Sequence, residues 1–259
     1  MENVWFGYHG PLGSPGPPAL RGVNLTMRPA ESIAVVGRNG AGKTTLVKHL
    51  NGLLKPDRGA VRVLGHNTIE TPVAELARHV GFAWQNSNDQ LFQPNVREEV
   101  LTAPRALRAY DRAWCDGLFE RFELGSLLDR SPFQLSEGQK KRVSFASALA
   151  VKPGLVVLDE PTAGQDESFR RELGTLIKEL QGEGRTVVLV THDLEFAAEH
   201  ATRWIALAEG EIVADGPSEE VMQNHGAMRK AGLRPTQKFQ LFEAIREAKG
   251  IEHRKWTVP

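Results

Sequence analysis

The sequence of 259 residues lacks the features that mark several classes of protein. It contains one cysteine, Cys115, so no disulfide can form within the chain, which is typical of a reducing compartment. No apolar run approaches the roughly 18 residues that a membrane-spanning helix needs. Residues 1–8 have neither the basic start nor the apolar core of a signal peptide. We therefore expect a cytoplasmic chain that reaches a membrane only through a partner.

An excess of charge of one sign is also absent. The chain has 32 Lys and Arg residues and 32 Asp and Glu residues, which gives a formal net charge of zero. Because nucleic-acid-binding domains are usually basic, we expect no nucleic-acid partner. Hydrophobic residues make up 41% of the chain and charged residues 25%, which indicates an ordinary globular protein.

Short apolar, β-branched runs predict buried strands at residues 32–36, 155–158 and 186–190, and helical patterns lie between them. Strands that alternate with helices predict a mainly parallel sheet, with ligand sites at the carboxyl ends of its strands. Residues 204–214 predict a hairpin that turns at Glu209-Gly210. The Pro/Gly-rich residues 11–18 predict a loop.

The middle and the end of the chain have a different character. Strand-like runs disappear after residue 86, and residues 96–101 and 112–122 predict helices. We therefore predict a helical subdomain, at about residues 86–150, inserted in one domain of residues 1–233. The remaining tail, residues 234–259, carries an apolar stripe at helical spacing. The stripe predicts a helix that either extends a dimer contact or docks on its own domain; it consists of Phe239, Phe242 and Ile245.

A glycine-rich loop follows the first of these buried strands. Its pattern, Gly37-x4-Gly42-Lys43-Thr44, fits the P-loop, in which glycines let backbone amides wrap a phosphate. The lysine supplies a point charge between the terminal phosphates, and the threonine hydroxyl can ligate Mg²⁺. A strand–helix turn without a ligand is the alternative. We predict that ATP is bound by Gly37, Arg38, Asn39, Gly40, Ala41, Gly42, Lys43, Thr44 and Thr45.

Two carboxylates, Asp159 and Glu160, follow the predicted strand at residues 155–158. They stand at the end of the strand where ligands bind in parallel sheets. Asp159 is suited to holding Mg²⁺, and Glu160 is suited to polarising the attacking water. A solvated acidic loop is the alternative, but the P-loop elsewhere in the chain favours the catalytic interpretation.

The segment Leu135-Ser136-Glu137-Gly138-Gln139 resembles the signature motif of the ABC transporter ATPases, usually Leu-Ser-Gly-Gly-Gln. Ser136 and the amides of a helix that we expect to start near Gln139 can form a second anion site. The resemblance covers about residues 3–220 and implies an α/β fold. That fold is a P-loop NTPase core with a mainly parallel sheet, an N-terminal antiparallel β part and the inserted helical subdomain.

The resemblance also implies how the two anion sites are used. In ABC ATPases two domains pack head to tail, and each nucleotide lies between the P-loop of one and the signature helix of the other. Ser136, Gly138 and Gln139 are therefore expected to contact an ATP molecule that the partner's P-loop holds. The implied partner is a second ABC ATPase domain, in a homodimer or a heterodimer; the chain could also be half of a fused pair.

Four further positions match the family. Tyr8 matches an aromatic residue that stacks on adenine, with a core aromatic as the alternative, and Asp166 matches the D-loop aspartate that communicates across the dimer. Gln85 matches the Q-loop glutamine, and His192 matches the switch histidine that reaches the γ-phosphate. The resemblance thus implies three catalytic residues, Glu160, His192 and Gln85. It implies three ligands for Mg²⁺, namely Thr44, Gln85 and Asp159.

Two segments depart from the family pattern. Glu137 replaces the first glycine of the signature, and its charged side chain must point away from the phosphate or it would repel it. The D-loop reads Ala163-Gly164-Gln165-Asp166 where many members have Ser-x-Leu-Asp. Because Asp166 and Ser136 remain, we expect an active protein with altered packing at the D-loop.

Residues 85–92, Gln-Asn-Ser-Asn-Asp-Gln-Leu-Phe, resemble the Q-helix region of the energy-coupling factor ATPases. Those proteins drive the uptake of vitamins or of cobalt and nickel ions. Ser87 and Asn88 replace the usual Pro and Asp of that subgroup. The resemblance implies a transmembrane coupling subunit and a solute-binding membrane subunit as partners, with this chain peripheral on the cytoplasmic face of the membrane.

Three alternatives stay open. Leu91 and Phe92 either contact the transmembrane partner or pack inside the helical subdomain. The chain could instead serve another ABC system, such as an exporter or a lipoprotein-release complex. It could also be a soluble ABC protein that acts on ribosomes or DNA, but the single domain and the zero net charge argue against that.

Overall fold

The computed structural model describes residues 1–9 and 15–249. The start of the loop predicted at residues 11–18, and residues 250–259 of the predicted tail, lie outside the described residues. The strands, in chain order, are β1 (Glu2–His9), β2 (Pro15–Val23), β3 (Ser32–Val36), β4 (Arg58–Ala60), β5 (Arg62–Val63), β6 (His66–Asn67), β7 (Val80–Ala83), β8 (Leu155–Asp159), β9 (Thr186–Val190), β10 (Arg203–Ala208) and β11 (Glu211–Pro217). The α-helices are α1 (Lys43–Lys48), α2 (Val73–Leu76), α3 (Val96–Ala106), α4 (Arg112–Arg121), α5 (Glu137–Leu149), α6 (Glu167–Gly182), α7 (Leu194–His200), α8 (Ser218–Gln223), α9 (His225–Lys230) and α10 (Gln237–Lys249).

The main sheet has the strand order β11-β10-β3-β9-β8-β7. The strands from β10 to β7 run parallel, and β11 pairs antiparallel with β10. Every residue of β3, β8 and β9 is buried, and successive residues of β3 enter two different hydrophobic cores. That burial on both faces explains why these strands are apolar throughout. The predicted α/β fold with a mainly parallel sheet is confirmed.

A second, antiparallel sheet has the order β2-β1-β4 and confirms the predicted N-terminal β part. Within it, residues 15–18 belong to β2, so the prediction of a loop up to residue 18 is wrong there. Pro15 and Pro18 pair in register with His9 and Gly7 of β1. The prolines are tolerated because β2 lies at the edge of its sheet, where one side needs no backbone donors.

The predicted helical region contains α3, α4 and α5. Asn95 caps α3 and Asp111 caps α4, each through a side chain that accepts from a backbone amide of the first turn. Helix α3 continues to Ala106, beyond the predicted end at residue 101. Helix α5 lies against β7 so closely that a Cβ on Gly81 would stand 2.1 Å from the carbonyl oxygen of Ala148. The boundaries drawn from the sequence at residues 86, 150 and 233 stay a prediction.

The C-terminal part returns to the sheet and then covers it with helices. The β10–β11 hairpin turns at Glu209 and Gly210, as predicted, and both residues have positive φ, at 51° and 83°. Phe239 at the start of α10 is buried in a cleft lined by residues of α7 and α8, so this part of the tail docks on its own domain. Leu241 and Ile245 are exposed. Within the described part of the chain, no helix is long and apolar enough to cross a bilayer.

Candidate nucleotide-binding site

The glycine-rich loop begins where β3 ends and leads into α1. Gly37 has φ 152°, and a Cβ at this position would lie 2.4 Å from the carbonyl oxygen of Leu207. Gly42 has φ 103°, and its Cβ would lie 2.7 Å from the carbonyl oxygen of Ala19. The backbone therefore requires glycine at both positions, for its conformation and for its close approach to neighbouring chain.

The amine of Lys43 lies over this loop. Its Nζ donates to the carbonyl oxygens of Gly37, at 2.8 Å, and of Arg38, at 3.2 Å. Burial lowers the pKa of Lys43, and the carboxylates of Glu160 and Asp159 oppose that shift. The helix α1 begins at Lys43, and its N-cap Gly42 has no side chain that could satisfy the first amides. The loop thus combines a fixed positive charge with backbone donors, as a phosphate site requires.

A cleft of about 400 Å³ lies in front of the loop. The structure brings together in it most of the residues that the sequence predicted for ATP and for catalysis. The predicted residues that line it are Tyr8, Asn39, Gly40, Gly42, Lys43, Thr44, Thr45, Gln85, Asp159 and Glu160.

Tyr8 is half exposed at this cleft, so the alternative that it is a core aromatic is wrong. Its hydroxyl lies 3.0 Å from Thr45 Oγ1, and its ring meets the ring of Phe6 edge to face at 5.0 Å between centroids. The two contacts hold the tyrosine while half of its surface stays exposed at the cleft. Such a ring can stack on a planar base.

Thr44 and Asp159 form the part of the cleft that suits a cation. Thr44 Oγ1 donates to Asp159 Oδ2 over 3.1 Å. Asp159 is 1% exposed, and its Oδ1 has no hydrogen-bond partner among the described residues. Burial raises the pKa of Asp159, and the hydrogen bond from Thr44 opposes that shift. Oxygen donors with an unsatisfied buried carboxylate oxygen fit a hard cation such as Mg²⁺.

Glu160 and His192 are in contact although His192 does not line the cleft. The Nδ1 atom of His192 lies 2.8 Å from Glu160 Oε2. The carboxylate of Glu160 is 7% exposed, whereas the imidazole of His192 is 70% exposed. Sequence reasoning missed Thr191, whose Oγ1 donates to the same carboxylate oxygen at 3.3 Å. The only sequence signal for it was its place between the strand β9 and His192.

The signature segment lies outside this cleft. Ser136 caps α5, accepting from the amide of Gln139, and the side chain of Gln139 accepts from the amide of Ser136. The helix therefore begins at Glu137, close to the start that was expected near Gln139. Gly138 approaches the side chain of Gln165. Ser136, Gly138, Gln139 and the neighbouring D-loop residue Asp166 are thus not placed to share one nucleotide with Lys43 of the same chain.

Asp166 caps a helix, a role that the resemblance to the D-loop did not suggest. Its Oδ1 accepts from the amide of Phe169 at 2.8 Å, so it is the N-cap of α6. Arg38 also has a local partner, because its guanidinium pairs with Glu209 of the β10–β11 turn at 3.3 Å. Gly37, Arg38 and Ala41 form the backbone of the loop without lining the cleft.

Comparison with known proteins agrees with this geometry. Residues 20–163, more than half of the chain, match the sequence model of the ABC transporter family. The chain belongs to the ABC transporter family. It is an ABC ATPase cassette and binds ATP.

Individual members of the family resemble this cassette over most of its length. The energy-coupling factor transporter ATP-binding protein EcfA of Methanothermobacter thermautotrophicus is 38% identical over 238 residues, which cover 90% of this chain and 76% of that protein. The solved structure of CbiO1 from Clostridium perfringens, part of the ABC transporter complex CbiONQ, has a TM-score of 0.72. It is 30% identical, and the match covers 94% of this cassette and 97% of that chain.

Another solved relative, the cassette MJ0796, is a dimer in a post-hydrolysis state with ADP and Pi. It is 29% identical, with a TM-score of 0.75, and the match covers 84% of this cassette and 97% of that chain. Two provisionally named ABC transporter ATP-binding proteins, from Methanosarcina acetivorans and Methanosarcina mazei, are each 39% identical. The cassette spans 36% and 38% of their length.

The ABC cassette departs from its family at Glu137, and the structure shows how the charge is accommodated. Lys140 Nζ lies 2.9 Å from Glu137 Oε1 and 2.9 Å from Asn88 Oδ1. The contact lowers the pKa of Glu137, so this carboxylate stays ionised and paired. The side chain is held along the helix by this pair, and its direction relative to a nucleotide stays a prediction.

Proposed function

We propose that this ABC cassette hydrolyses ATP in an importer of the energy-coupling factor type, which takes up a vitamin or cobalt or nickel ions. The similarity to EcfA over 90% of the chain and to CbiO1 over 94% supports that subgroup. The observation that carries the proposal is the exposure of the Phe92 side chain. Phe92 ends the segment that begins at Gln85 in the nucleotide cleft, so it offers an apolar contact for a membrane subunit close to the ATP site.

Hydrolysis is assigned to the residues at the ends of β8 and β9. Glu160 accepts the proton of the attacking water, and Thr191 and His192 hold its carboxylate in place. His192 is placed to reach the γ-phosphate because its imidazole is exposed beside Glu160. Lys43 and the loop amides bind the phosphates and offset their charge. Tyr8 stacks on the adenine, so selectivity between purines is weak.

Mg²⁺ is the second cofactor that the site fits. Thr44, Asp159 and Gln85 are the residues that would hold it, and its charge offsets that of the terminal phosphates. The buried Oδ1 of Asp159, which has no hydrogen-bond partner within the described part of the chain, lies beside the Thr44 hydroxyl and supports this assignment.

A second ABC cassette, identical or related, is the first proposed partner. The chain carries a phosphate loop and a capped signature helix on different surfaces, so one cassette uses its two anion sites on two nucleotides. Two cassettes packed head to tail complete both sites. The dimeric structure of MJ0796 supports this arrangement.

The membrane subunits are the further proposed partners. Leu91 is 3% exposed and belongs to the larger core, so it packs inside the helical region. Phe92 beside it is 68% exposed. Glu99 accepts from the amides of Phe92, at 2.8 Å, and of Gln93, at 2.7 Å, which anchors the backbone that carries this exposed side chain. An exposed phenyl ring at the end of the Q-loop is suited to contact with a transmembrane subunit, and it supports the proposal that the cassette lies on the cytoplasmic face of the membrane.

The test is purification of the cassette after co-expression with the proteins encoded beside it, followed by mass spectrometry of the co-purified subunits and solute. We expect a second cassette, a transmembrane coupling subunit and a small solute-binding membrane protein. Phe92→Asp should abolish co-sedimentation with membranes, whereas the matched change Ile69→Asp, at an exposed residue outside the helical region, should not. A partner that resembles an exporter, or a cassette that never leaves the soluble fraction, would contradict the importer.

A further inference from the structure

One buried lysine next to the nucleotide site has no part in the chemistry described so far. Lys141 lies on α5, five residues after the cap Ser136, and it is 4% exposed. Its Nζ donates to the carbonyl oxygens of Trp84 at 2.7 Å, Gln85 at 3.1 Å and Asp159 at 3.1 Å.

These three hydrogen bonds use every donor that an ammonium group has. All three acceptors are main-chain atoms, and they belong to two segments that are far apart in sequence. Burial lowers the pKa of Lys141 to about 8, while the charges of Asp159 and Glu160 favour its ionised form. Burial of the ammonium group carries a desolvation penalty, so Lys141 is a poor means of stabilising the fold. We therefore look for its role in the positions of the three carbonyl groups that it binds.

Two of the three carbonyl groups belong to the predicted Mg²⁺ ligands. The peptide carbonyls of Gln85 and Asp159 determine where the Cα–Cβ bonds of these residues point. Anchoring both to one nitrogen atom fixes the spacing between the Q-loop and the end of β8. Supporting partners of this kind orient the groups that contact a metal or substrate, without touching either.

Lys141 is also attached to the signature helix at a position near its N-terminus. Other contacts join the same part of α5 to the same loop: Lys140 donates to Asn88 at 2.9 Å, and Gln90 donates to the carbonyl oxygen of Ser144 at 3.2 Å. Farther along, α5 lies in backbone contact with β7 at Gly81. A displacement of Gln85 relative to Asp159 therefore has to move or break the Lys141 contacts, and with them the start of the helix that carries Ser136.

We propose that Lys141 is a positioning residue. It holds the Q-loop and the end of β8 at the spacing that hydrolysis requires, and it joins both to the signature helix that the cassette presents to its partner. It touches neither nucleotide nor metal. ATP binding, which depends on the P-loop, does not need it.

The proposal rests on ATP hydrolysis by the cassette and not on the identity of the importer. Lys141→Met removes the three donors and keeps a stem of similar length. We expect kcat to fall about tenfold or more, as is typical for the loss of a supporting contact, with the KM for ATP within about threefold. Amide hydrogen exchange of residues 84–91 in the nucleotide-free protein should become faster. The control is Lys152→Met, the same change at a half-exposed lysine that pairs with Asp111, which should keep the wild-type kcat and exchange.

A second variant, Lys141→Gln, keeps two donors without the charge and should show intermediate values of kcat and exchange. It serves as the main variant if Lys141→Met does not fold. Wild-type kcat together with wild-type exchange in either variant overturns the proposal, and so does a loss of turnover that comes entirely from a raised KM. If the wild-type protein hydrolyses no ATP, hydrolysis itself is contradicted, and the exchange of residues 84–91 still decides on Lys141.

Discussion

Thr44 Oγ1 donates a hydrogen bond to Asp159 Oδ2 over 3.1 Å, although 115 positions separate the two residues in the chain. The contact exists because β3 and β8 are parallel strands of one sheet, separated by β9, and their carboxyl ends meet at the same edge. It leaves Asp159 Oδ1 buried without a partner among the described residues. The pair therefore joins the phosphate loop to the acidic end of β8 around a place suited to a cation.

Glu160→Gln should stop turnover while ATP binding survives. Loss of a general base typically lowers the rate by about 100-fold to 10,000-fold, and the amide keeps the size of the side chain. The variant should accumulate as a nucleotide-bound dimer, measured by ultracentrifugation with Mg-ATP. The control is Glu75→Gln on the exposed α2, which should hydrolyse ATP like the wild type. Turnover near the wild-type value in the Glu160 variant would show that the base is a different residue.

Tyr8→Ala should weaken the binding of ATP by about fivefold, because an aromatic stacking contact contributes about 1 kcal/mol. Tyr8→Phe removes only the hydroxyl bond to Thr45 and should keep nearly all of the affinity. Fluorescence titration with a labelled ATP analogue measures both. Equal losses in the two variants would assign the effect to the hydroxyl, and no loss in either would place the base elsewhere.

Lys140→Met should weaken ATP-dependent dimerisation, because it frees the charge of Glu137 in the signature, which in the proposed head-to-tail dimer faces the partner's nucleotide. An ion pair of this kind contributes up to about 1 kcal/mol, so we expect an effect of about fivefold on the dimer dissociation constant. Removing the charge as well, in Lys140→Met with Glu137→Gly, should restore dimerisation. If the double variant dimerises as poorly as Lys140→Met alone, Lys140 acts through Asn88 and not through Glu137.

Gly81→Ala should destabilise the fold strongly, because the new Cβ would stand 2.1 Å from the carbonyl oxygen of Ala148. Overpacking of this kind costs about 1–3 kcal/mol. Gly117→Ala is the matched control: this glycine lies inside α4 with open space around it, and alanine should stabilise the helix by about 0.5–1 kcal/mol. Thermal unfolding should therefore shift Tm down for the first variant and up for the second.

Glu99 makes the stability of the helical region depend on pH. Burial raises the pKa of Glu99, although the amides of Gln93 and Phe92 oppose the shift. Because the folded state holds the proton to higher pH than the unfolded state, stability from this group is fully present at acid pH and declines as the pH rises through the folded pKa. Glu99→Gln does not titrate, so its free energy of unfolding relative to the wild type should increase from pH 4 to pH 7. Chemical denaturation at several pH values measures it, and a constant difference would contradict the assignment.

The sequence itself was sufficient wherever function resides in a contiguous segment. The P-loop, the acidic pair Asp159-Glu160 and the signature are short motifs, and their own glycines, caps and flanking strands favour the backbone conformation of each. The turn at Glu209-Gly210 is local in the same way. The structure has the strand end and the capped helix start that these segments predict, although Gly37 and Gly42 of the P-loop also approach the distant carbonyl oxygens of Leu207 and Ala19.

Tertiary structure decided what depends on contacts between distant segments. Pairing with β1 turned residues 15–18 into a strand despite their prolines. Packing buried Leu91 and left its neighbour Phe92 exposed, which no periodicity over two residues can distinguish. Lys141 belongs to no motif described from the sequence, and only the packing of α5 against the Q-loop and β8 showed that it binds three carbonyl groups. The chain encodes the parts of the nucleotide site locally, whereas burial and long-range pairing determine how those parts are joined.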